Sequence, residues 1–346
     1  MLAYGVLLGA ITLAGCGATS TRETQPDAAA LVTVTATTTS ISPTIVPPSP
    51  TLRSTPTLPP TVTPTPTPTA TPTPTPTSLP PTRIAVIGDY GLAGEPAAQV
   101  ASLVKGWNPD VIITLGDNNY PHGASSTIDQ NVGQYYHDFI APYNGRFGAG
   151  SDRNRFFPVL GNHDWEAAGA KPYLDYFTLP DNERYYAVTA GSVRLFALDS
   201  YPQEPDGVSP DSRQAVWLRR ALEQSTACWN IVYMHHAPFS SGLHGSSEWM
   251  QWPFQAWGAD AVLGGHDHHY ERIMRDGLPY IVNGLGGGAR YPVGKPVAGS
   301  VVQYRAQHGA MLIEATSGGI SFQFVTHTGE TIDTYEQQQP CRDRGP

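Results

Sequence analysis

The chain has 346 residues, with 33 Pro, 35 Gly, and 20 Lys and Arg against 29 Asp and Glu, for a formal charge of −9. All of that charge falls after Thr82, because Arg22, Arg53, Glu23 and Asp27 cancel one another ahead of it. An acidic globular part excludes nucleic-acid binding through a broad basic face. It leaves open an anionic substrate whose charge is met by bound metal.

Residues 1–16 read as an exported leader. The apolar run in MLAYGVLLGAITLAGCGA is too short to span a bilayer but has the length of a signal-peptide core. It ends in Leu13-Ala14-Gly15-Cys16, which resembles the bacterial lipobox and implies lipidation at Cys16; a plain secretory signal with an incidental Cys is the alternative. Residues 17–82 are a Thr/Pro-rich linker, with the repeat PTPTPTATPTPTPT inside it. Such a tract buries too little to offset its ordering entropy and is expected to be disordered. Stretched as polyproline at about 3.1 Å per residue, its Pro-rich half reaches on the order of 100 Å.

Residues 83–337 are expected to fold, with 338–346 as a tail. Strands are expected at 83–87, 111–115, 157–160, 230–234 and 261–263, where short apolar runs are rich in β-branched residues. Helices are expected at 96–107, 127–140 and 212–224, and a hairpin over 185–198. From Tyr280 onward the pattern is β, ending in 311–314 and 321–325. The alternation predicts an α/β (α+β) domain with mixed sheets.

Five of the expected strands run directly into polar signatures, where α/β proteins place their ligand sites. These are Gly88-Asp89-Tyr90-Gly91, Gly116-Asp117-Asn118-Asn119-Tyr120, Gly161-Asn162-His163-Asp164, Met234-His235-His236, and GHDHHYER at 265–272. The last holds three of the chain's 11 His within four positions. An extended backbone would turn His266 and His268 to one side and Asp267 and His269 to the other. Paired imidazoles suit a cation, and a solvated His-rich loop is the alternative.

Taken together, the five blocks resemble the signature of the calcineurin-like metallophosphoesterases, and more narrowly their purple acid phosphatase (tartrate-resistant acid phosphatase-like) branch. The resemblance covers nearly all of residues 83–330. It implies a four-layer αββα sandwich, two mixed β-sheets flanked by helices, with 83–337 as the catalytic domain. Two linked positions carry the narrower branch. Most of the superfamily has Asp-x-His in the first block, with that His on the first metal. Gly91 stands there in this chain, and Tyr120 occupies the position from which purple acid phosphatases supply a Tyr ligand.

Carried over, the resemblance implies two metal ions. Asp89, Asp117, Tyr120 and His268 would hold the first; Asp117, Asn162, His235 and His266 the second, with Asp117 bridging. A phenolate beside carboxylates suits Fe(III), and the second set suits Zn(II), Fe(II) or Mn(II). Val232-Tyr233-Met234-His235 fits the family's V-x-x-H, which favours His235 over His236. The implied reaction is phosphomonoester hydrolysis by a metal-activated hydroxide. His163 would contact the phosphate or protonate the leaving group, and Asp164 would orient its ring. Asn162, His163, His236 and His244 are the candidate substrate contacts. A phosphodiesterase or nucleotidase of the same superfamily is the alternative enzyme, and a stalked binding module the non-enzymatic one. The expected partner is a small phosphate ester, with no nucleic acid, a membrane only through the lipid anchor, and a monomer at the cell surface or in the periplasm. If Cys16 is lipidated, Cys228 and Cys341 remain, either as a disulfide holding the tail or as two free thiols.

Overall fold

The structure is a computed structural model that describes residues 80–338 and Cys341. The leader with Cys16, the linker up to residue 79 and the rest of the tail lie outside the described residues. Among the described residues no helix is long and apolar enough to cross a membrane.

Thirteen strands form two mixed sheets. The first has the order β13-β12-β11-β1-β2-β3. It contains β1 (Thr82–Ile87), β2 (Val111–Thr114), β3 (Phe156–Phe157), β11 (Gly309–Ala315), β12 (Gly319–Thr326) and β13 (Thr331–Gln338). The second has the order β10-β8-β9-β7-β6-β5-β4. It contains β4 (Tyr186–Ala190), β5 (Val193–Ala197), β6 (Trp229–His236), β7 (Ala261–Gly265), β8 (Tyr270–Arg275), β9 (Leu278–Asn283) and β10 (Ser300–Tyr304). β1, β2 and β3 run parallel, as do β5, β6, β7 and β9.

The period-2 pattern of the second sheet accounts for the layering. Leu195, Ile231, Tyr233, Leu263 and Ile281 share a core with the first sheet's Ile84, Val86, Ile313 and Phe322. Their chain neighbours Phe196, Val232, Met234, Val262 and Tyr280 turn the other way, onto Ala215, Leu218 and Leu222 of a flanking helix. That helix, α5 below, repeats its apolar residues at helical spacing. Burying each Leu contributes on the order of 2 kcal/mol. Cross-sheet bonds fix the two layers: the Trp229 indole donates to the Thr316 carbonyl at 2.7 Å, and Arg272 grips Asp333 with two bonds at 2.7 and 3.0 Å.

The helices are α1 (Glu95–Gly106), α2 (Gln134–Tyr136), α3 (Asn162–Glu166), α4 (Lys171–Tyr176), α5 (Arg213–Glu223) and α6 (Phe254–Trp257). α1 starts with an acid and a Pro and ends with Lys105, which suits its dipole. Ser212 caps α5, its hydroxyl accepting from the Ala215 amide at 3.2 Å.

Several expectations need correction. The helix expected over 127–140 is a π turn (Asp129–Gly133), then the one-turn α2, then a 3-10 turn (His137–Phe139). The strand expected at 157–160 stops at Phe157, because Pro158 has no N–H to continue the ladder. α3, α4, β8 and β13 are strand and helix segments that the apolar pattern left unassigned.

The structure also joins Cys228 to Cys341, with Cα atoms 4.6 Å apart. The bridge ties the tail beyond β13 to the residue just before β6.

Candidate metal centre

Every polar signature lies at or just past the C-terminal end of a parallel strand. Asp89 follows β1, Asp117 follows β2, Asn162 opens α3 after β3, His235 lies near the end of β6, and His266 follows β7. Facing two such sheets brings five strand ends to one place.

Three of these residues sit in the left-handed region: Asp89 at φ 54°, Asp117 at φ 52° and His266 at φ 70°. Each follows a glycine. The conformation costs a residue with a Cβ on the order of 1 kcal/mol, and such strain is found where a structure holds a side chain in place for use. It also corrects the extended reading of GHDHHYER. β7 ends at Gly265, and residues 266–269 form consecutive bends before β8. His266 and His268 reach the centre through those bends.

The first donor group is Asp89, Asp117, Tyr120 and His268. The Tyr120 hydroxyl lies 2.9 Å from Asp117 Oδ2, 3.4 Å from Asp89 Oδ1 and 3.2 Å from His268 Nε2. His268 Nε2 is 3.2 Å from Asp89 Oδ1. Atoms that share one cation at bonds of about 2.1 Å sit about 3 Å apart, so this spacing fits one ion. The His268 Nδ1 is held by the Ala289 carbonyl, which leaves Nε2 facing the group.

The second group is Asp117, Asn162, His235 and His266. His235 Nε2 lies 3.0 Å from Asn162 Oδ1, 3.1 Å from His266 Nδ1 and 3.4 Å from Asp117 Oδ1. The Leu115 carbonyl binds His235 Nδ1 at 2.8 Å, so the ring proton sits there and Nε2 offers a lone pair. His235 Nε2, Asn162 Oδ1 and Asp117 Oδ1 then face one another as acceptors, with His266 Nδ1 beside them. A cation satisfies that arrangement, so the residues present fit a metal.

Asp117 thus presents Oδ2 to one group and Oδ1 to the other. Two adjacent donor groups meeting at one carboxylate form a dinuclear centre. His236 also lies within ligand reach of His235 and His266. Its Nδ1, however, is taken by the Ser200 hydroxyl at 2.9 Å.

Electrostatics agree with this use. Burial pushes the Asp89 carboxyl up, but the neighbouring His268, then His235 and the His266 amide, outweigh it, so Asp89 stays below its ordinary range. Burial, then Asp117 and Asp89, push the Tyr120 phenol well up. A phenolate there therefore requires a cation beside it.

Gly91 and Tyr120 are two parts of one device. The Gly91 amide donates to the Asp117 carbonyl at 3.1 Å, and the Tyr120 amide to the Gly91 carbonyl at 2.8 Å. A Cβ on Gly91 would meet the Asn118 carbonyl carbon at 2.1 Å. The backbones lie too close for any side chain at 91, and that closeness carries the Tyr120 hydroxyl into the group.

The remaining candidates divide. His163 stands at the rim with its side chain 31% exposed; Pro121's carbonyl holds its Nδ1 at 2.5 Å, and its Nε2 is 3.9 Å from Asp117 Oδ2. Asp164 does not orient it. The Asp164 carboxylate is buried and accepts from the Gly161 amide (2.9 Å), the Asn118 amide (3.1 Å) and the Asn118 side chain (2.8 Å). The group beside His163 Nδ1 is Glu166, at 3.3 Å, which also contacts His122. Of the two other substrate candidates, His244 is exposed, its ring 4.2 Å from that of His266, whereas His236 is buried. Asp267 and His269 serve the frame: Asp267 accepts from Ser240 and the His244 amide, and His269 pairs with Glu271.

Sequence reasoning missed Tyr291, whose ring stacks on His268 at 4.1 Å. It also missed Asn118, whose side chain joins Thr114, Tyr90, Val159 and Asp164. The polar run at 116–120 was a signal for Asn118; nothing in the local sequence marks Tyr291.

The sequence profile of the calcineurin-like phosphoesterases matches residues 82–270, more than half of the chain. The chain belongs to the calcineurin-like phosphoesterase family. Among curated relatives it is 27% identical to purple acid phosphatase 17 of Arabidopsis thaliana over 234 residues, covering 58% of this chain and 67% of that protein. It is 24% identical to the human tartrate-resistant acid phosphatase type 5 over 251 residues, covering 60% and 73%. The fold is shared with a purple acid phosphatase from yellow lupin (17% identity, TM-score 0.63, 76% of this chain and 55% of that one). It is shared equally with GAP50, described as the anchor in the inner membrane complex of Plasmodium (17% identity, TM-score 0.60, 75% and 89%). The shared fold does not by itself decide what the chain does.

Proposed function

We propose that this protein is a dinuclear-metal phosphomonoesterase of the purple acid phosphatase type. The observation that carries it is the Asp117 carboxylate, which gives one oxygen to each of two complete donor groups. Support for catalysis over a non-catalytic binding module comes from the same completeness.

In this reading Asp89, Asp117, Tyr120 and His268 hold Fe(III), and Asp117, Asn162, His235 and His266 hold Zn(II), Fe(II) or Mn(II). Two such ions supply positive charge for the phosphate oxygens and acidify a water for attack on phosphorus. The protein's own groups do the rest. Leu115 and Ala289 carbonyls lock the His235 and His268 rings with their free nitrogens inward. The Pro121 carbonyl fixes the proton of His163 on Nδ1's side of the ring, which aims Nε2 across the rim. When the ring also carries a proton on Nε2, His163 gives that second proton to the departing oxygen as the ester P–O bond breaks and is left neutral, with Nδ1–H still on the Pro121 carbonyl. His244, open beside His266, contacts the bound ester.

The reading extends to location. Cys16 carries a lipid anchor and the Thr/Pro tract spaces the domain from the membrane at the surface of the cell or in the periplasm, with the domain acting as a monomer.

The test is hydrolysis of an aryl phosphate monoester against the matching diester by metal-loaded protein. Monoester turnover that chelation abolishes and metal restores is expected. Preferential diester turnover would transfer the protein to the phosphodiesterases, and turnover of neither would leave the non-catalytic binding-module reading.

A further inference from the structure

Beyond the donor groups, the chain builds an aromatic wall from one short turn, Asp199-Ser200-Tyr201. The turn is rigid. Asp199 is buried, exchanges two bonds with the Gln214 side chain (2.8 and 3.0 Å), and accepts the Tyr201 amide at 3.0 Å. The Trp165 indole donates to both Asp199 oxygens at 3.2 and 3.0 Å, and the Tyr201 ring stacks flat on Trp165 at 5.2 Å with 11° between planes. Trp165 lies one helical turn after Asn162 on α3. On the other side, the Trp249 indole donates to the Ser200 carbonyl at 3.0 Å. Its ring lies 5.6 Å from His236, whose ring lies 4.6 Å from His266.

Trp249 is 39% exposed, and Leu243, next to His244, is 63% exposed. These are two of the four large exposed apolar side chains among the described residues, and both belong to the segment that carries His244. An indole pinned by its N–H and more than a third exposed, linked through His236 to His266 of the second donor group, is a stacking surface for a flat ring.

We infer that the substrate is a nucleoside monophosphate, its phosphate on the donor groups and its base on Trp249 and the neighbouring aromatic wall. The inference rests on the phosphomonoesterase reading above. The order of the rings favours the class. Trp249 touches His236 (5.6 Å), and His236 touches His266 of the second donor group (4.6 Å), so a ring stacked on Trp249 is set off from the donors by the His236 ring, as a base is held off from its phosphate by a sugar.

Adenosine 5′-monophosphate and ribose 5-phosphate provide the test, because they share the same ester and differ only in the base. Base-on-aromatic stacking lost by alanine substitution corresponds to roughly a tenfold or larger change. The wild type should favour the nucleotide in kcat/KM by about tenfold. Trp249→Ala should remove most of that preference while ribose 5-phosphate changes less than about twofold, and Trp249→Phe, which keeps a ring, should retain much of it. Equal rates for the two substrates in the wild type, or equal losses in Trp249→Ala, overturn the inference. If no monoester is hydrolysed, an aryl phosphate included, the phosphatase reading fails instead. Calorimetric binding of the two compounds to the metal-loaded protein then decides the stacking surface: tighter binding of the nucleotide that depends on Trp249 upholds it, and equal binding overturns it.

Discussion

The Tyr120 amide donates to the carbonyl of Gly91 at 2.8 Å, and position 91 has no room for a side chain. At this position the chain has, in place of a side chain, a backbone contact that brings the Tyr120 phenol to the donor group. Gly91→His should not restore a ligand. Its Cβ would push against the Asn118 backbone and displace the loop that carries Asp117 and Tyr120. Gly91→Ala should already destabilise by about 1–3 kcal/mol, the usual range for overpacking, and reduce bound metal. Thermal unfolding and metal analysis of both variants check this; unchanged metal content in Gly91→His would refute the steric link.

Asp117→Asn replaces one bridging oxygen by an N–H₂ that faces cations. It should cost bound metal at both positions and nearly all activity. A variant that still holds two metals per chain would remove the bridging role.

Asp164 is expected to act on the fold of the site rather than on the reaction. Asp164→Ala leaves the Gly161 amide and the Asn118 amide and side chain without their acceptor, at about 3 kcal/mol or more. Its lowered melting temperature should come with a kcat per bound metal close to that of the wild type. A soluble, metal-replete Asp164→Ala with kcat lowered a hundredfold would return Asp164 to the chemistry.

Glu271 sets an acid limit. Burial pushes its carboxyl up, but bonds from His269, Ser241 and Ser300 hold it at about 2, below its ordinary value of 4.5. A depressed folded-state value means stabilisation that is complete above about pH 4.5 and lost as pH falls toward 2. Melting temperature should drop through that window, and Glu271→Gln should flatten the drop while lowering stability at neutral pH. A variant whose acid profile matches the wild type would exclude Glu271 as the cause.

The Cys228–Cys341 bridge closes a loop with a sequence separation of 113. In the chain-entropy account such a loop contributes about 4–5 kcal/mol. Reduction, or the paired Ser substitutions, should lower the melting temperature by on the order of 10 °C. An unchanged melting temperature after confirmed reduction would count against it.

What was legible in the sequence follows physical range. Strands such as β1, β2, β6 and β7 are buried apolar runs, so local composition declares them, and the residues at their ends became candidates with them. β8 was hidden because the same residues spell GHDHHYER, where polar side chains are buried by cross-sheet bonds such as Tyr270 to Asp333. Tyr291 and the turn at Asp199 were hidden because their importance lies in contacts with residues far along the chain. The assignment of Asp164 beside His163 followed adjacency in sequence, but on α3 neighbouring side chains point in different directions. Asp164 turns into the loop, and Glu166, three residues on from His163, is the one that meets it.

The central claim is tested most directly by metal analysis of protein purified without chelators, together with its visible spectrum. The account predicts two metal ions per chain, iron in the Tyr120 position, and a violet phenolate-to-iron band that Tyr120→Phe abolishes while folding is retained. One metal or fewer per chain after loading, or an iron-filled wild type without a visible band, would contradict it.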